Sequence, residues 1–255
     1  MKKIIALTLA VLMMALCLTA CSAKGPTLAD VQKAGKLTVA TSPDFPPFES
    51  LEGGKVVGIE VDIMELIAKE LGVELEIVQM DFDAVLMGIQ TAKYDCGASG
   101  ITVNADREKN MLFTKPYYNA AQVIVVKEGS PITGKDDLSG KTVSVQTGTT
   151  AESGCQDEGI AIQAFNANAD AKSALTTGKV DAWVVDNEVA VALAAEQGLV
   201  VLAEAMTSEP YAFAFPKGSD TLVAEFNKIL AKLIADGTIQ SIFDSYGVLY
   251  VSPVA

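Results

Sequence analysis

Histidine is absent from all 255 residues. Its absence excludes Ser-His-Asp triads, Cys-His pairs and zinc sites built on imidazole. Positive charge is also scarce. Nineteen Lys and Arg stand against 32 Asp and Glu, a formal net charge of −13. Nucleic acid is therefore not expected as a partner, because phosphate binding needs a basic face. No apolar run reaches the roughly 20 residues of a membrane-spanning helix. The run from Ile4 to Leu18 has 15. What is present suits a globular chain: half of the residues are hydrophobic and a fifth charged. The length allows one large domain or two modest ones with cores of their own.

The first twenty residues read as an export address. Lys2 and Lys3 precede the short apolar run, the pattern of a signal-peptide core. The run ends in Leu18-Thr19-Ala20-Cys21, which resembles the lipobox of bacterial lipoproteins. The resemblance implies a signal peptide over 1–20, cleavage before Cys21 and a lipidated linker over 21–27. The mature chain would then sit on the outer face of the cell membrane, held by acyl chains on the Cys21 thiol. The alternative is an ordinary signal peptide, an incidental cysteine and a free periplasmic protein. Loss of Lys2 and Lys3 takes the net charge from −13 to −15. Of the four cysteines, Cys17 leaves with the leader and Cys21 is the lipid site. Export permits a disulfide between Cys96 and Cys155, but Cys96 sits in an apolar strand pattern and reads as a buried thiol.

Strands and helices alternate along the rest. Leu37 to Ala40 forms a strand that runs out at Ser42. Ile59, Ile63, Leu66, Ile67 and Leu71 keep the helical period up to Gly72. Val73, Leu75 and Ile77 alternate with polar residues. A helix over 83–91 and a strand over 95–99 follow. This β-α-β-α-β order predicts a parallel sheet with helical crossovers. A second series starts at Val123–Val126. It continues with a strand over 141–146, a helix opened by the capping box Thr149-Thr150-Ala151-Glu152, a helix over 169–177, a strand over 180–185 and a helix over 187–197. After the apolar run Tyr211 to Phe215, the residues Leu222, Phe226, Ile229, Leu230, Leu233 and Ile234 share one helical face, which ends at Gly237.

In open α/β sheets, ligands bind beyond the carboxyl ends of strands. The residues found there are Ser42-Pro43-Asp44-Phe45, Ser99-Gly100-Ile101-Thr102, Gln146-Thr147-Gly148-Thr149-Thr150 and Asp186. Arg107 lies five residues past Thr102. Such a set suits a small zwitterion. Arginine offers a planar fork to a carboxylate, helix-start N–H groups favour an anion, and Asp186 would meet an ammonium. Each residue also has a plainer reading. Asp106-Arg107-Glu108-Lys109 could be a solvated helix face, Asp186 and Thr149 could be N-caps, and Phe45 and Phe82 could be core. Their convergence on four strand ends favours a site.

The same residues carry a family resemblance. Thr41-Ser42-Pro43-Asp44-Phe45-Pro46-Pro47-Phe48-Glu49, Gly58-Ile59-Glu60-Val61-Asp62, and Ser99-Gly100-Ile101-Thr102 with Arg107 form its first half. Phe113 to Tyr118, Gln146 to Thr150 and Gly178 to Ala182 continue it to Asp186. In order and spacing this resembles the polar amino-acid-binding proteins of bacterial ABC importers. The resemblance implies an α/β, two-lobed periplasmic-binding-protein fold, each lobe a mainly parallel sheet flanked by helices. Lobe 1 would comprise 28–120 and 211–255, and lobe 2 would comprise 121–210. Two hinge strands are expected near 119–122 and 209–213. It further implies that Arg107 binds the ligand α-carboxylate with N–H groups at Thr102 and Thr150. Asp186 would take the α-ammonium, with acceptors near Ser99 and Gly100, and Phe45 and Phe82 would sandwich the side chain. Ser42 and Gln146 would face that side chain. Relatives that bind cations often have an acid where Ser42 stands, so a neutral polar side chain, as in glutamine, is expected.

The expected function is extracytoplasmic binding of a polar L-amino acid and its delivery to ABC permease subunits, by a monomer with no cofactor and no metal. A periplasmic enzyme on the same scaffold, resembling the cyclohexadienyl dehydratases, is the alternative, since fold does not set function. A sensor lobe of a receptor or lytic transglycosylase is a third class and would need a further segment.

Overall fold

The computed structural model describes residues 24–194, 198–250 and 253; the signal-peptide stretch and Cys21 lie outside the described residues. In chain order the elements are α1 (Leu28–Ala34), β1 (Lys36–Thr41), β2 (Asp44–Phe45), β3 (Glu49–Glu52), β4 (Lys55–Val57), α2 (Ile59–Leu71), β5 (Glu74–Gln79), α3 (Phe82–Gln90) and β6 (Cys96–Gly97). Next come α4 (Ala105–Asn110), β7 (Met111–Phe113), β8 (Tyr118–Ala120), β9 (Gln122–Lys127), β10 (Thr142–Gln146), α5 (Thr150–Asp157), β11 (Ala161–Phe165), α6 (Asn168–Thr176) and β12 (Ala182–Asp186). The chain continues with α7 (Asn187–Ala194), β13 (Leu199–Ala205), β14 (Glu209–Tyr211), β15 (Ala214–Pro216), α8 (Asp220–Ala235) and α9 (Thr238–Ser245).

Two five-stranded sheets organise the molecule. The first runs β5-β1-β6-β15-β7, the second β11-β10-β12-β9-β13. In the first, β1 pairs in parallel with β5 from Lys36–Glu74 to Thr41–Gln79, and with β6 at Val39–Cys96. In the second, β10 is parallel to β11 and β12, and β9 runs antiparallel to β12 and β13. The parallel pairings β1–β5, β1–β6 and β10–β12 are the ones the alternating patterns predict; the antiparallel placement of β7, β9, β13 and β15, and the strand β11, are not. Parallel neighbours need crossovers, and α2, α3, α5 and α6 supply them. Helix α2 buries Ile59, Ile63, Met64 and Ile67, and Gly72 ends it in the left-handed conformation. Helix α8 buries Leu222, Phe226, Ile229, Leu230 and Leu233.

The strand expected over 95–99 is only two residues long, because the chain turns at Ser99 and Gly100 toward the cleft. The helix expected over 187–197 is described as far as Ala194. Strands β8 and β14 form a separate antiparallel ribbon, Glu209–Ala120 to Tyr211–Tyr118. It passes between the two sheets and is seated on aromatic rings. Phe48 lies 5.5 Å from Tyr118 and 5.2 Å from Tyr211, and Tyr118 stacks on Phe243 at 5.0 Å. Tyr117 stacks on Phe213 at 4.8 Å just beyond the ribbon. Such pairs add about 0.5–1.5 kcal/mol each beyond area burial. Cys96 and Cys155 are both free and buried.

Candidate functional site

Nine of the ten predicted residues line one cavity between the two sheets. Phe45, Phe82, Ser99, Gly100, Thr102 and Arg107 come from the first lobe; Gln146, Thr150 and Asp186 come from the second, with Thr149 as a tenth wall residue. The placement follows from topology: β6, β10 and β12 all end at this cleft. Ser42 is the exception. It is buried behind the wall, where its Oγ donates to Asp44 Oδ1 at 3.1 Å and its N–H donates to Ser99 Oγ at 3.1 Å.

Arg107 is 9% exposed, whereas Asp106, Glu108 and Lys109 around it are exposed. The solvated-face reading of this charge run therefore fails at Arg107 alone. Asn104 caps α4 by accepting the Arg107 N–H at 2.9 Å, and this turns the side chain inward. Its guanidinium donates to the Thr102 carbonyl at 2.9 Å and, across the cleft, to the Gly148 carbonyl at 3.1 Å. It also lies 5.5 Å from the centre of the Phe82 ring. Burial lowers its pKa, while Glu209 and Asp186 oppose that shift. Among the described residues no ion pair joins Arg107 to a carboxylate.

Asp186 is buried at the end of β12. Tyr211 donates to its Oδ1 at 2.6 Å and Gln122 Nε2 to its Oδ2 at 3.0 Å. Burial is the chief reason its pKa is pushed up to about 7, with Glu209 adding to the rise and the two hydrogen bonds and Arg107 opposing it. Gln122 also donates to Thr150 Oγ1 at 3.1 Å, and Thr150 donates to Glu209 Oε2 at 3.0 Å. A positively charged group placed beside Asp186 would offset its desolvation.

Helix α5 presents its N-terminus to the cavity. Thr149 caps it, accepting from the Glu152 N–H at 3.2 Å, while Glu152 accepts from the Gly148 N–H at 2.7 Å rather than from Thr149. The capping box thus forms one residue early on its return side. Gly148 sits at φ +81°, and a Cβ there would stand 3.3 Å from the Asp83 backbone of the other lobe.

The Ser99-Gly100 wall is held from behind. Ser99 donates to Glu49 at 2.8 Å, and the Gly100 N–H lies 3.2 Å from both oxygens of Glu60. Tyr117 also donates to Glu60. Glu49 and Glu60 are fully buried with no cation, and burial together with their mutual proximity raises the Glu49 pKa well above 4.5. Glu49 Oε2 accepts no hydrogen bond from a neighbour. Burial likewise raises the Glu60 pKa, so the charged form of both carboxyls is disfavoured here. Gly100 itself (φ +53°) leaves room for Phe45, whose ring would be 2.4 Å from an added Cβ.

Sequence reasoning missed Gln122, Tyr211 and Glu209, and it left Thr149 as a cap. No local signal marked them. Gln122 and Tyr211 lie 64 and 25 residues from the carboxylate they hold. Among the described residues, no group of three or more Asp, Glu or Cys is arranged to hold a metal. No described helix is long and apolar enough to cross a membrane.

Residues 37–248 match the family model described as bacterial extracellular solute-binding proteins, family 3. The arginine-binding extracellular protein ArtP of Bacillus subtilis (strain 168) is 31% identical over 233 residues, covering 88% of this chain and 90% of ArtP. The truncated, arginine-bound ArgBP from T. maritima superposes with a TM-score of 0.77 at 39% identity, over 80% of this chain and 99% of that one. An ancestral arginine-binding protein bound to glutamine gives 0.79 at 37% identity, over 83% and 97%. The residues matched by the family model take in strands of both sheets and all the residues of the cavity wall, and the chain belongs to the bacterial extracellular solute-binding proteins of family 3.

Proposed function

We propose that this chain captures a polar L-amino acid outside the cytoplasm by closing two lobes over it, and hands it to ABC permease subunits. One observation carries the reading. Arg107 and Asp186 are both buried on the wall of one cavity, with opposite charges and without an ion-pair partner among the described residues. A buried charge is costly unless it is paired. A zwitterion supplies both missing partners at once. Its carboxylate takes the Arg107 fork and the N–H groups at Thr102 and Thr150; its ammonium takes Asp186. Phe45 and Phe82 flank the side chain, and Ser99 and Gly100 offer polar contacts. Residues 28–120 and 211–255 act as lobe 1 and residues 121–210 as lobe 2, with β8 and β14 as the hinge. The protein works as a monomeric binder rather than an enzyme.

At the side-chain end the wall residue is the uncharged Gln146, with Asp44 behind it rather than on the wall. Gln146 has its amide engaged by the Asn166 carbonyl at 2.9 Å, by Asn168 Nδ2 at 2.9 Å and by Asp44. Ser42 donates to Asp44 as well. A carboxylate holds the Gln146 amide from behind, so this end suits a side chain that forms hydrogen bonds, an amide or a guanidinium among them. Glutamine is bound in one of the related structures and arginine in another.

A thermal-shift screen of the common amino acids tests the reading. A ligand at 100 times its dissociation constant stabilises by about 2.7 kcal/mol. A screen with no shift from any amino acid sinks it. For the leader, Cys21 is the lipid site, motivated by Leu18-Thr19-Ala20-Cys21 after a short apolar core. Fractionation of wild type against Cys21→Ser checks this; a wild type that is wholly soluble and unmodified refutes it.

A further inference from the structure

Helix α6 starts without a cap from its own lobe. Ala167 holds the N-cap position, and its side chain can accept nothing. The N–H of Asn168, the first residue of the helix, donates instead to Asp44 Oδ2 at 2.7 Å. Asp44 belongs to β2, in the other lobe. The same carboxylate accepts from Gln146 Nε2 at 3.3 Å and from Ser42 Oγ at 3.1 Å. Two residues earlier, Asn166 Nδ2 donates to Asp81 Oδ2 at 3.1 Å, again across the cleft. Segment 166–168 of lobe 2 is thus held at two points by carboxylates of lobe 1. Asp44 does not line the cavity. Negative charge at a helix N-terminus is favoured by the exposed N–H groups and the helix dipole, and N–H bonds to a carboxylate are stronger than neutral ones.

We propose that Asp44 is a positioning residue for ligand binding: it caps α6 across the cleft and so holds the two lobes closed without touching the ligand. This rests on the amino-acid-binding reading above. A bond that exists only when the lobes meet favours closure and adds nothing to the folding of either lobe. It therefore acts on ligand dissociation more than on the ligand-free melting temperature, where only the Ser42–Asp44 bond within lobe 1 and the closed fraction are lost. Gln146, which does line the cavity, is fixed by the same carboxylate, so the latch also sets the shape of the side-chain end.

Four variants separate the latch from a packing role. Asp44→Ala removes it, and Asp44→Asn keeps an acceptor for the Asn168 N–H. Asn168→Pro deletes that N–H at the first helical position, where proline is well tolerated; Asn168→Ala keeps the N–H and loses only the side-chain bond to Gln146. With arginine and glutamine as probes, Asp44→Ala is expected to raise Kd about tenfold through faster dissociation, with Asp44→Asn recovering part of the loss. Asn168→Pro should bind more weakly than Asn168→Ala, and that difference should vanish in an Asp44→Ala background. Spin labels attached through Met87→Cys and Val191→Cys, exposed sites on opposite lobes, report the closed fraction with and without amino acid. Asp44→Ala should lower it in both conditions.

A near wild-type Kd in Asp44→Ala overturns the latch, as does a loss of affinity matched by an equal loss of ligand-free stability. If the wild type binds no amino acid, the reading of the site fails. The ligand-free distance measurement then decides the latch by itself: a distribution identical in wild type and Asp44→Ala overturns it.

Discussion

Ligand affinity should fall steeply on the acid side of neutrality, and Asp186 is the reason. In the empty closed site, burial pushes its carboxyl from the ordinary 3.8 up to about 7. The ligand ammonium favours the ionised form, so binding below pH 7 expels a proton. The sign follows: an acid with a raised pKa holds its proton as the pH falls, and the ligand must displace it. With a pKa of about 7, the ionised fraction of the empty site drops from about nine-tenths at pH 8 to about one-hundredth at pH 5. Kd should therefore rise by up to about 90-fold over that interval, or about 2.7 kcal/mol, the full factor applying to the closed empty site. The α-carboxylate and ammonium of the amino acid keep their charges throughout. Calorimetry at pH 5, 6, 7 and 8, in two buffers of different ionisation enthalpy, reads both Kd and proton release. Close to one proton should leave per ligand at pH 5 and close to none at pH 8. Asp186→Asn should bind weakly at every pH and lose the Asp186 part of the slope. A wild-type Kd constant within about twofold from pH 8 to 5, with no proton release, would refute the reasoning.

Three further outcomes are expected. Arg107→Ala should weaken binding at least about a hundredfold by calorimetry, since removing one partner of a desolvated pair costs roughly 3–5 kcal/mol; near wild-type affinity would move the site elsewhere. Glu49→Gln should raise the melting temperature at pH 8, because it replaces one of two buried carboxyls, each with its pKa raised by burial, with a neutral amide that can donate to Glu60. The folded-state pKa values of both carboxyls are raised, so the native protein binds more protons than the unfolded chain and loses stability as pH climbs past about 4.5; a variant with the same melting-temperature slope between pH 5 and 8 would contradict this. Gly100→Ala should destabilise by roughly 1–2 kcal/mol from its left-handed backbone alone. It should also weaken ligand binding by displacing the Phe45 ring, 2.4 Å from the added carbon; unchanged urea midpoints and affinities would count against that account.

Local periodicity determined a good deal of this protein. The helices α2 and α8 and the strands β1, β9, β10 and β12 are legible because each buries one face or both, and burial imprints a period on the sequence. The strand ends then pick out Thr102, Gln146, Thr150 and Asp186, since a parallel sheet puts those ends on one edge. Weaker elements escape such reading. Strand β11 (Ala161–Phe165) is a mostly exposed edge with little alternation, and the β2-β3-β4 hairpins are too short for a period. Tertiary structure alone decided three matters of function. It buried Arg107 within an exposed charge run, because Asn104 caps α4 and Phe82 faces the guanidinium. It gathered Gln122, Tyr211 and Glu209 around Asp186 and Thr150 from two hinge-side strands far apart in the chain. And it set Asp44 off the cavity wall, against an uncapped helix 124 residues on. Hydrogen-bond partners at such separations leave no mark on local sequence; they exist only once both lobes are built and brought together.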